Sequence, residues 1–542
     1  MTARARLNAF LAYLAPDAVR TRLMALGPRG RIIALLGLGL FAGLSASPIY
    51  FFPALAVGLT GLIWLLDSSH DTARPGRSAF WRTFLFAWAY LGIGVFWVAF
   101  AFWNRGGAFV FFGPLVAIGG AAFLAVFWAI AGAVYTKLGL KGPVRILAFA
   151  VLILAAEAAK GLPFTQFPWN LPGHVFPAGG AVSQAAAWLG VWGLSFLALV
   201  MFSSPAALSG QGSETARRLP VLASLLVLAA LYAGGTQRLV RAEVDYHPDL
   251  LFRLVNVDID QRVKWGPGGD AIVRSRYLEL TASEGVDDVT HVVWPEGALP
   301  LFLIEDSTSI AALTEILTQD QVLLAGTPRR ERLSPAEVRY FNSFVSIAFS
   351  EERPRVLGLY DKVYLVPFGE YVPLSGFLSS LGIRSLQELV AGYSHGEEIV
   401  TLTDAGAPSF LPLICYEVVF SGLVPRGEDR PEWILNISND AWFGPTAGPS
   451  QHLNITRYRA IESGLPVLRS AARGFSGVID PYGRMPVLID RRYEGATDVG
   501  LPMPLQPTLY LQSRGLLFWF IYILSILAVV ATVIRPQFQR QK

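Results

Sequence analysis

A single cysteine, Cys415, stands in 542 residues, so no intrachain disulfide and no cysteine-based zinc cluster can form. Histidine is nearly as scarce. His70, His174, His247, His291, His395 and His452 are scattered, with none paired at the roughly three- to five-residue spacing that puts two metal ligands on one element. No Gly-rich phosphate loop of the Walker type is present, and Gly266-Pro267-Gly268-Gly269 reads as a turn. Neither a metal nor another cofactor is expected. Charge is also sparse: 15% of residues are Asp, Glu, Lys or Arg against 53% hydrophobic, with a mean hydropathy of +0.45. That is too apolar for an ordinary soluble enzyme and places much of the chain in lipid. The net charge of +4 and pI near 9.1 do not point to nucleic acid, because the basic residues form short clusters between apolar runs.

Those apolar runs lie at about residues 32–45, 50–66, 84–102, 109–135, 144–159, 181–202 and 219–234, which predicts about seven helices. The first two are short for independent spans, and a re-entrant hairpin broken at Pro48 is the alternative. Cytoplasmic loops carry the Lys and Arg excess. Arg4, Arg6, Arg20, Arg22, Arg29 and Arg31 precede the first run; Arg74, Arg77 and Arg82 the third; Lys137, Lys141 and Arg145 the fifth; Arg217 and Arg218 the seventh. The alternate connections near Pro48, Gly106 and Phe164 hold few, Arg105 and Lys160 being the exceptions. The amino terminus is therefore expected inside, followed by an uncleaved first helix rather than a signal peptide. A last apolar run, 516–534, precedes Arg535, Arg540 and Lys542, which returns the carboxyl terminus to the inside. The expected division is a membrane domain at 1–240, an extracytoplasmic domain at 244–505 and a final transmembrane helix at 514–536.

Between the membrane segments, short β-rich runs at 251–257, 289–294, 321–324, 344–349, 410–414 and 433–437 alternate with helical stretches, an α/β pattern. Two runs end in reactive residues: His291 to Glu296 reads His-Val-Val-Trp-Pro-Glu, and Leu411 to Glu417 reads Leu-Pro-Leu-Ile-Cys-Tyr-Glu. Functional side chains sit where strands of an α/β sheet end. Between them runs a charged, aromatic segment from Tyr360 to Tyr371 with a turn at Phe368-Gly369, and Lys362 is its natural cation. Glu296, Lys362 and Cys415 make a complete set for acyl transfer. A thiol with an unperturbed pKa of about 8.5 is only partly ionised near neutrality, so a carboxylate base and an ammonium that stabilises thiolate and oxyanion are both useful. Taken singly, each has a plainer reading: an inert core cysteine, a glutamate in a turn, a solvated lysine.

Trp-Pro-Glu at 294–296, the Lys362 segment ending in Pro-Phe-Gly-Glu-Tyr-Val-Pro, Ile-Cys-Tyr-Glu at 414–417 and Asn-Ile-Ser-Asn-Asp-Ala-Trp-Phe-Gly at 436–444 together resemble the carbon–nitrogen hydrolase (nitrilase) superfamily. With the flanking spans, the chain resembles the bacterial apolipoprotein N-acyltransferases. The resemblance implies a multi-pass α-helical membrane domain joined to an α/β nitrilase-like αββα sandwich in the bacterial inner membrane, with the catalytic domain on the periplasmic side. It implies a Glu296, Lys362, Cys415 triad in which the cysteine takes an acyl chain from a phospholipid, typically phosphatidylethanolamine, and passes it to the α-amine of a diacylglyceryl-modified apolipoprotein. Trp265, Glu370, Tyr416 and Glu417 match positions that line or support such a site. For Trp265 a core or interfacial aromatic is the alternative; Glu370 and Glu417 are alternatively structural ion pairs around Lys362. Asn439 and Asp440 could simply close a turn, and Trp442-Phe443 could simply be core. Phe167-Pro168-Trp169 is a candidate lipid contact in an outer loop.

Two rivals remain at this level. A membrane-anchored amidase would use the same triad with water as acceptor, although it would not require so many spans. A transporter with an outer binding domain would be marked by intramembrane charges, for which only Glu157 and Lys160 qualify, and these read as interfacial.

Overall fold

Proline opens the helices Pro28–Gly43, Pro53–Asp67 and Pro75–Val95, where its fixed φ fits the first turn and its missing N–H costs no hydrogen bond. These belong to the first of two units in the computed structural model, comprising Met1–Trp103, Ala108–Val240 and Gly515–Lys542; the second comprises Asn104–Gly107 and Arg241–Arg514. The structure describes residues 12–107, 109–161, 166–335, 337–350, 353–371, 392–403 and 407–539. Arg4, Arg6, Phe164, Val372, Pro373, Arg540 and Lys542 lie outside the described residues.

Among the described residues of the first unit, Val110–Leu138, Val182–Leu208, Glu214–Val240 and Leu516–Ile534 are helices long and apolar enough to cross a membrane. Pro75–Val95 and Val98–Asn104 meet the same measure together, across a 47° bend. The Pro28–Gly43 and Pro53–Asp67 helices have only 16 and 15 residues and are separated by a break around Pro48. Glycines let helices approach closely: a Cβ at Gly39 would collide with the Phe86 carbonyl, and one at Gly132 with Thr83. Basic clusters from separate loops converge on shared carboxylates. Asp67 pairs with Arg145 at 2.6 Å and Arg20 at 3.2 Å, and Asp17 pairs with Arg217 at 3.2 Å. Glu157 and Lys160 lie in the last turn of the helix Val144–Lys160. They are 1% and 0% exposed and form an ion pair at 2.8 Å, and the Trp128 indole donates to Glu157 Oε1 at 2.5 Å. Helix spacing alone could not reveal the neighbouring Trp128 that helps enclose them. Trp169 is likewise buried, 4.9 Å from the Trp97 ring.

The second unit holds two mixed sheets. The larger runs β11-β1-β2-β3-β4-β5, with β1 (Tyr246–Asn256), β2 (His291–Trp294), β3 (Val322–Ser334), β4 (Glu337–Ala348), β5 (Arg355–Asp361) and β11 (Gly495–Pro502). The smaller runs β10-β9-β8-β7-β6, with β6 (Phe410–Ile414), β7 (Trp433–Asn439), β8 (Val467–Ala472), β9 (Ser476–Ile479) and β10 (Val487–Ile489). In each, three adjacent strands are parallel, β1-β2-β3 and β6-β7-β8, and the remaining pairings are antiparallel.

Strand alternation sends every second side chain to the opposite face. Phe252, Leu254, Val293, Leu324 and Phe344 of the larger sheet therefore meet Phe410, Ile414, Trp433, Leu435 and Ile437 of the smaller in one buried core. Aromatic pairs bridge it: Phe344–Phe410 at 5.6 Å and Phe252–Trp433 at 5.3 Å. The intervening residues point outward. Val292, Trp294, Leu323 and Val345 pack under the helices Gly269–Thr281 and Ser307–Ile316, while Leu411, Leu413 and Ile434 pack with Leu453 and Ala460 of the helix Gly448–Ser463. The result is the four-layer αββα sandwich.

Candidate active site

Three strand ends supply the triad: Glu296 follows β2, Lys362 follows β5 and Cys415 follows β6. The first two lie on the larger sheet and the cysteine on the smaller, so the packed core aligns them. Glu296 has no slack on its own side, since a Cβ at Gly326 of β3 would fall 2.5 Å from Glu296 Cα and 2.9 Å from Ile437 of the opposite sheet.

Lys362 is 1% exposed, and its Nζ lies 3.3 Å from Glu296 Oε1 and 3.0 Å from Glu370 Oε1. Asn342 of β4 donates through Nδ2 to the same two oxygens, each at 2.7 Å. Glu296 Oε2 accepts from the Asn439 N–H at 2.7 Å, and Glu370 Oε2 from the Val366 N–H at 2.8 Å. Burial disfavours the Lys362 ammonium, but Glu296 and Glu370 outweigh it and hold its pKa well above the usual lysine value. Lys362 is a permanent cation there.

Cys415 feels both partners. Burial, reinforced by the Glu296 carboxylate, pushes its thiol up, while Lys362 and a hydrogen bond with Ser438 pull it down. The resting group is thus the protonated thiol, and ionisation must accompany proton transfer to a base. Its backbone has a φ of 50°, the left-handed region that L side chains seldom occupy, at the mouth of a short 3-10 turn, Cys415–Val419.

Glu417 does not pair directly with the Lys362 ammonium. Its Oε1 accepts from Tyr360 at 2.6 Å, Val363 N–H at 2.8 Å and Tyr364 N–H at 3.2 Å, and its Oε2 from Ile414 N–H at 2.8 Å. It ties the lysine loop to the cysteine loop. Burial raises its pKa to about 7, against the pull of those donors and Lys362. Tyr416 is buried, its ring edge-on to Phe420 at 5.6 Å. Trp265 is 62% exposed, and its indole donates to Gln261 at 3.2 Å. Its link to the triad is its neighbour: the Lys264 ammonium is buried and donates to the carbonyl of Gly297, next to Glu296. Burial, partly offset by Glu296, lowers Lys264 to about 8.

Sequence reasoning missed Asn342, Lys264 and His452. An amide set with Ser343 between Phe341 and Phe344, inside an otherwise largely apolar run, was the one signal that could have found Asn342. Asn439 and Asp440 do close a turn, yet both also serve the site: the Asn439 N–H binds Glu296, and Asp440 binds Ser438 and His452.

The geometry is that of a buried base, cation and thiol able to form an acyl-cysteine. The profile for the apolipoprotein N-acyltransferase N-terminal domain matches residues 38–204, and that for carbon-nitrogen hydrolase matches residues 273–503. Proteins of Rhodopseudomonas palustris, Caulobacter vibrioides and Agrobacterium fabrum, each named apolipoprotein N-acyltransferase, are 35%, 39% and 34% identical to this chain. The alignments cover 90%, 84% and 96% of this chain and 92%, 85% and 99% of the relatives. With both halves matched and relatives aligned nearly end to end, the chain belongs to the apolipoprotein N-acyltransferase family.

Proposed function

We propose that this chain moves a fatty acyl group from a phospholipid, with phosphatidylethanolamine the expected donor, through a Cys415 thioester to the α-amine of a diacylglyceryl-cysteine lipoprotein. Glu296 takes the thiol proton as sulfur attacks the ester carbonyl, and Lys362 stabilises the oxyanion. Collapse breaks the bond between the acyl carbon and the glycerol oxygen, Glu296 returns the proton to that oxygen of the departing lysophospholipid, and the acyl group stays on Cys415. The lipoprotein amine then attacks the thioester, giving up a proton to Glu296, and the amide forms as Cys415 leaves with a proton restored. Glu370 and Asn342 hold the Glu296–Lys362 pair, Glu417 and Tyr416 support the cysteine loop, and Trp265 lines the approach.

The observation that carries this reading is the buried contact of Lys362 with Glu296, both acting on the only thiol in the chain. Apolar helices on either side of the catalytic unit favour lipid-anchored substrates. The pairing of Asp17, Asp67, Arg20, Arg145 and Arg217 supports one common, cytoplasmic end for the basic loops. An odd count of about seven spans would then put the catalytic unit on the periplasmic side of the inner membrane.

The test is incubation of the purified protein with acyl-labelled phospholipid alone. One portion is then treated with neutral hydroxylamine and another with a diacylglyceryl-cysteine peptide. Wild type should carry label that hydroxylamine removes and that moves to the peptide amine, and Cys415→Ser should carry none that transfers. Label released only as free fatty acid would instead indicate an amidase-like hydrolase, and no label on Cys415 would defeat the covalent route.

A further inference from the structure

A fully buried polar network lies behind the cysteine, outside the triad. The Cys415 carbonyl meets His452 Nε2 at 3.1 Å. His452 Nδ1 lies 2.9 Å from Asp440 Oδ1, and the Ser438 hydroxyl donates to that same oxygen at 2.7 Å. Ser438 in turn acts on the Cys415 thiol, lowering its pKa against the effect of burial. Arg469 of β8 anchors the far side. Its Nη2 donates to Asp440 Oδ2 at 2.7 Å and lies 3.2 Å from His452 Nδ1. Its Nε donates to the Phe475 carbonyl at 3.0 Å, and its Nη1 donates to Thr456 at 3.2 Å and to Asn436. Ser438, Asp440, His452 and Arg469 are all 0–1% exposed. A Cβ at Gly474 would come 2.5 Å from Asp440 Oδ2, so a glycine there leaves the carboxylate its place.

The proton positions follow from donor and acceptor chemistry. A carbonyl oxygen can only accept, so His452 Nε2 carries hydrogen and donates to Cys415. Although burial opposes it, Arg469 and then His452 hold the Asp440 carboxyl well below the usual range. Asp440 therefore stays an acceptor for Ser438 and lies against His452 Nδ1. The network meets Cys415 at its carbonyl through His452, and Asp440 joins that contact to Ser438, which acts on the thiol's ionisation. A residue held at φ 50° has a more comfortable backbone conformation to relax into once its carbonyl is released.

We infer that His452 is a positioning residue for acyl-enzyme formation: its Nε2–H pins the Cys415 carbonyl, and with Asp440 and Ser438 it keeps the thiol turned toward Glu296 and Lys362. The inference rests on the proposed role of Cys415 as nucleophile. It goes beyond that role by making nucleophile placement depend on a histidine 37 residues away in sequence.

The test uses the full-length enzyme with His452→Gln, His452→Asn and His452→Leu. A glutamine amide can reach the Cys415 carbonyl, an asparagine amide can satisfy only the Asp440 side, and leucine does neither. Single-turnover acylation by labelled phospholipid should fall about 100-fold in the Asn and Leu variants, equivalent to about 2.7 kcal/mol, with the phospholipid KM unchanged. The Gln variant should recover to within about tenfold of wild type, a loss of the size one imperfect hydrogen bond gives. Asn and Leu variants acylating within about threefold of wild type overturn the inference, as does a folded Gln variant no faster than the Leu variant, each threshold being near the RT scale. Ser438→Ala removes only the hydroxyl that acts on the thiol's ionisation and leaves the arginine–aspartate pair. It should slow both acylation and iodoacetamide alkylation of the lone thiol, and unchanged rates in both would likewise overturn the inference. Wild type that forms no hydroxylamine-labile adduct would bring down the Cys415 reading itself, whereas labelled wild type with equally fast variants removes only His452.

Discussion

Glu296→Gln separates the chemical role of the carboxylate from its structural one. Both oxygens are engaged as acceptors, Oε1 by Lys362 at 3.3 Å and Asn342 at 2.7 Å, and Oε2 by the Asn439 N–H at 2.7 Å. Whichever way the amide is turned, its NH2 faces a donor. The mispairing should cost about 1–3 kcal/mol of stability. Against a typical total of about 5–15 kcal/mol, the protein remains folded. The chemical loss is larger, because an amide cannot take the thiol proton, and general-base catalysis contributes about 10²–10⁴-fold. Acylation of Cys415 by labelled phospholipid should therefore fall by at least about 10²-fold while phospholipid still binds and the lone thiol can still be alkylated after unfolding. Glu296→Asp keeps a base but draws it back by one methylene, so it should fall between the two. Acylation of Glu296→Gln within about tenfold of wild type, a barrier change of only about 1.4 kcal/mol, would refute the general-base assignment.

Lys362→Met leaves Glu296 and Glu370 buried beside each other without their shared cation, so thioester formation should fall by about 10²–10³-fold with a clear drop in thermal stability; near wild-type labelling would remove Lys362 from the mechanism. Glu417 supplies a pH dependence. With its folded pKa raised from 4.5 to about 7, its contribution to stability is present below about pH 4.5 and is lost as pH rises through about 7. Glu417→Gln, fixed neutral, should flatten the change in unfolding midpoint between those values, and an unaltered slope would contradict the assignment. A topology reporter after Arg238 or within residues 306–309 should lie outside the cytoplasm and one at the carboxyl terminus inside; cytoplasmic labelling of the central domain would reverse the orientation.

Glu296 and Cys415 stood out in the sequence because each lies just past a short apolar run, where strand geometry fixes the backbone and leaves the side chain free; Lys362 stood out only as the cation of the charged, aromatic segment between them, since β5, which positions it, was not among the expected runs. Glu370 was singled out by the resemblance, and it lies just past the turn that Phe368 makes with its φ of 61°. The supporting network was not. His452 sits on the helix Gly448–Ser463 and Arg469 on β8, and only the folding of β6, β7 and β8 side by side brings both to Cys415. Periodicity detected the apolar halves of β3 and β4 but not their polar extensions, Arg329 to Ser334 and Glu337 to Tyr340, which pair with each other outside the inter-sheet core. Burial of Glu157 and Lys160 was hidden for a related reason, since the side chain that meets Glu157, Trp128, comes from another helix.

Cys415 follows a strand of one sheet, and Glu296 and Lys362, its proposed base and cation, follow strands of the other, with Phe344 against Phe410 and Phe252 against Trp433 between them. Alignment of the reacting atoms is therefore inherited from how two large surfaces interlock, and no single loop can restore it. A slip between the layers too small to expose the interior would already misplace sulfur relative to carboxylate, and reactivity is steeply sensitive to such offsets. Warming should accordingly dull the chemistry before it unravels the chain, making turnover a finer gauge of interior order than any measure of secondary structure.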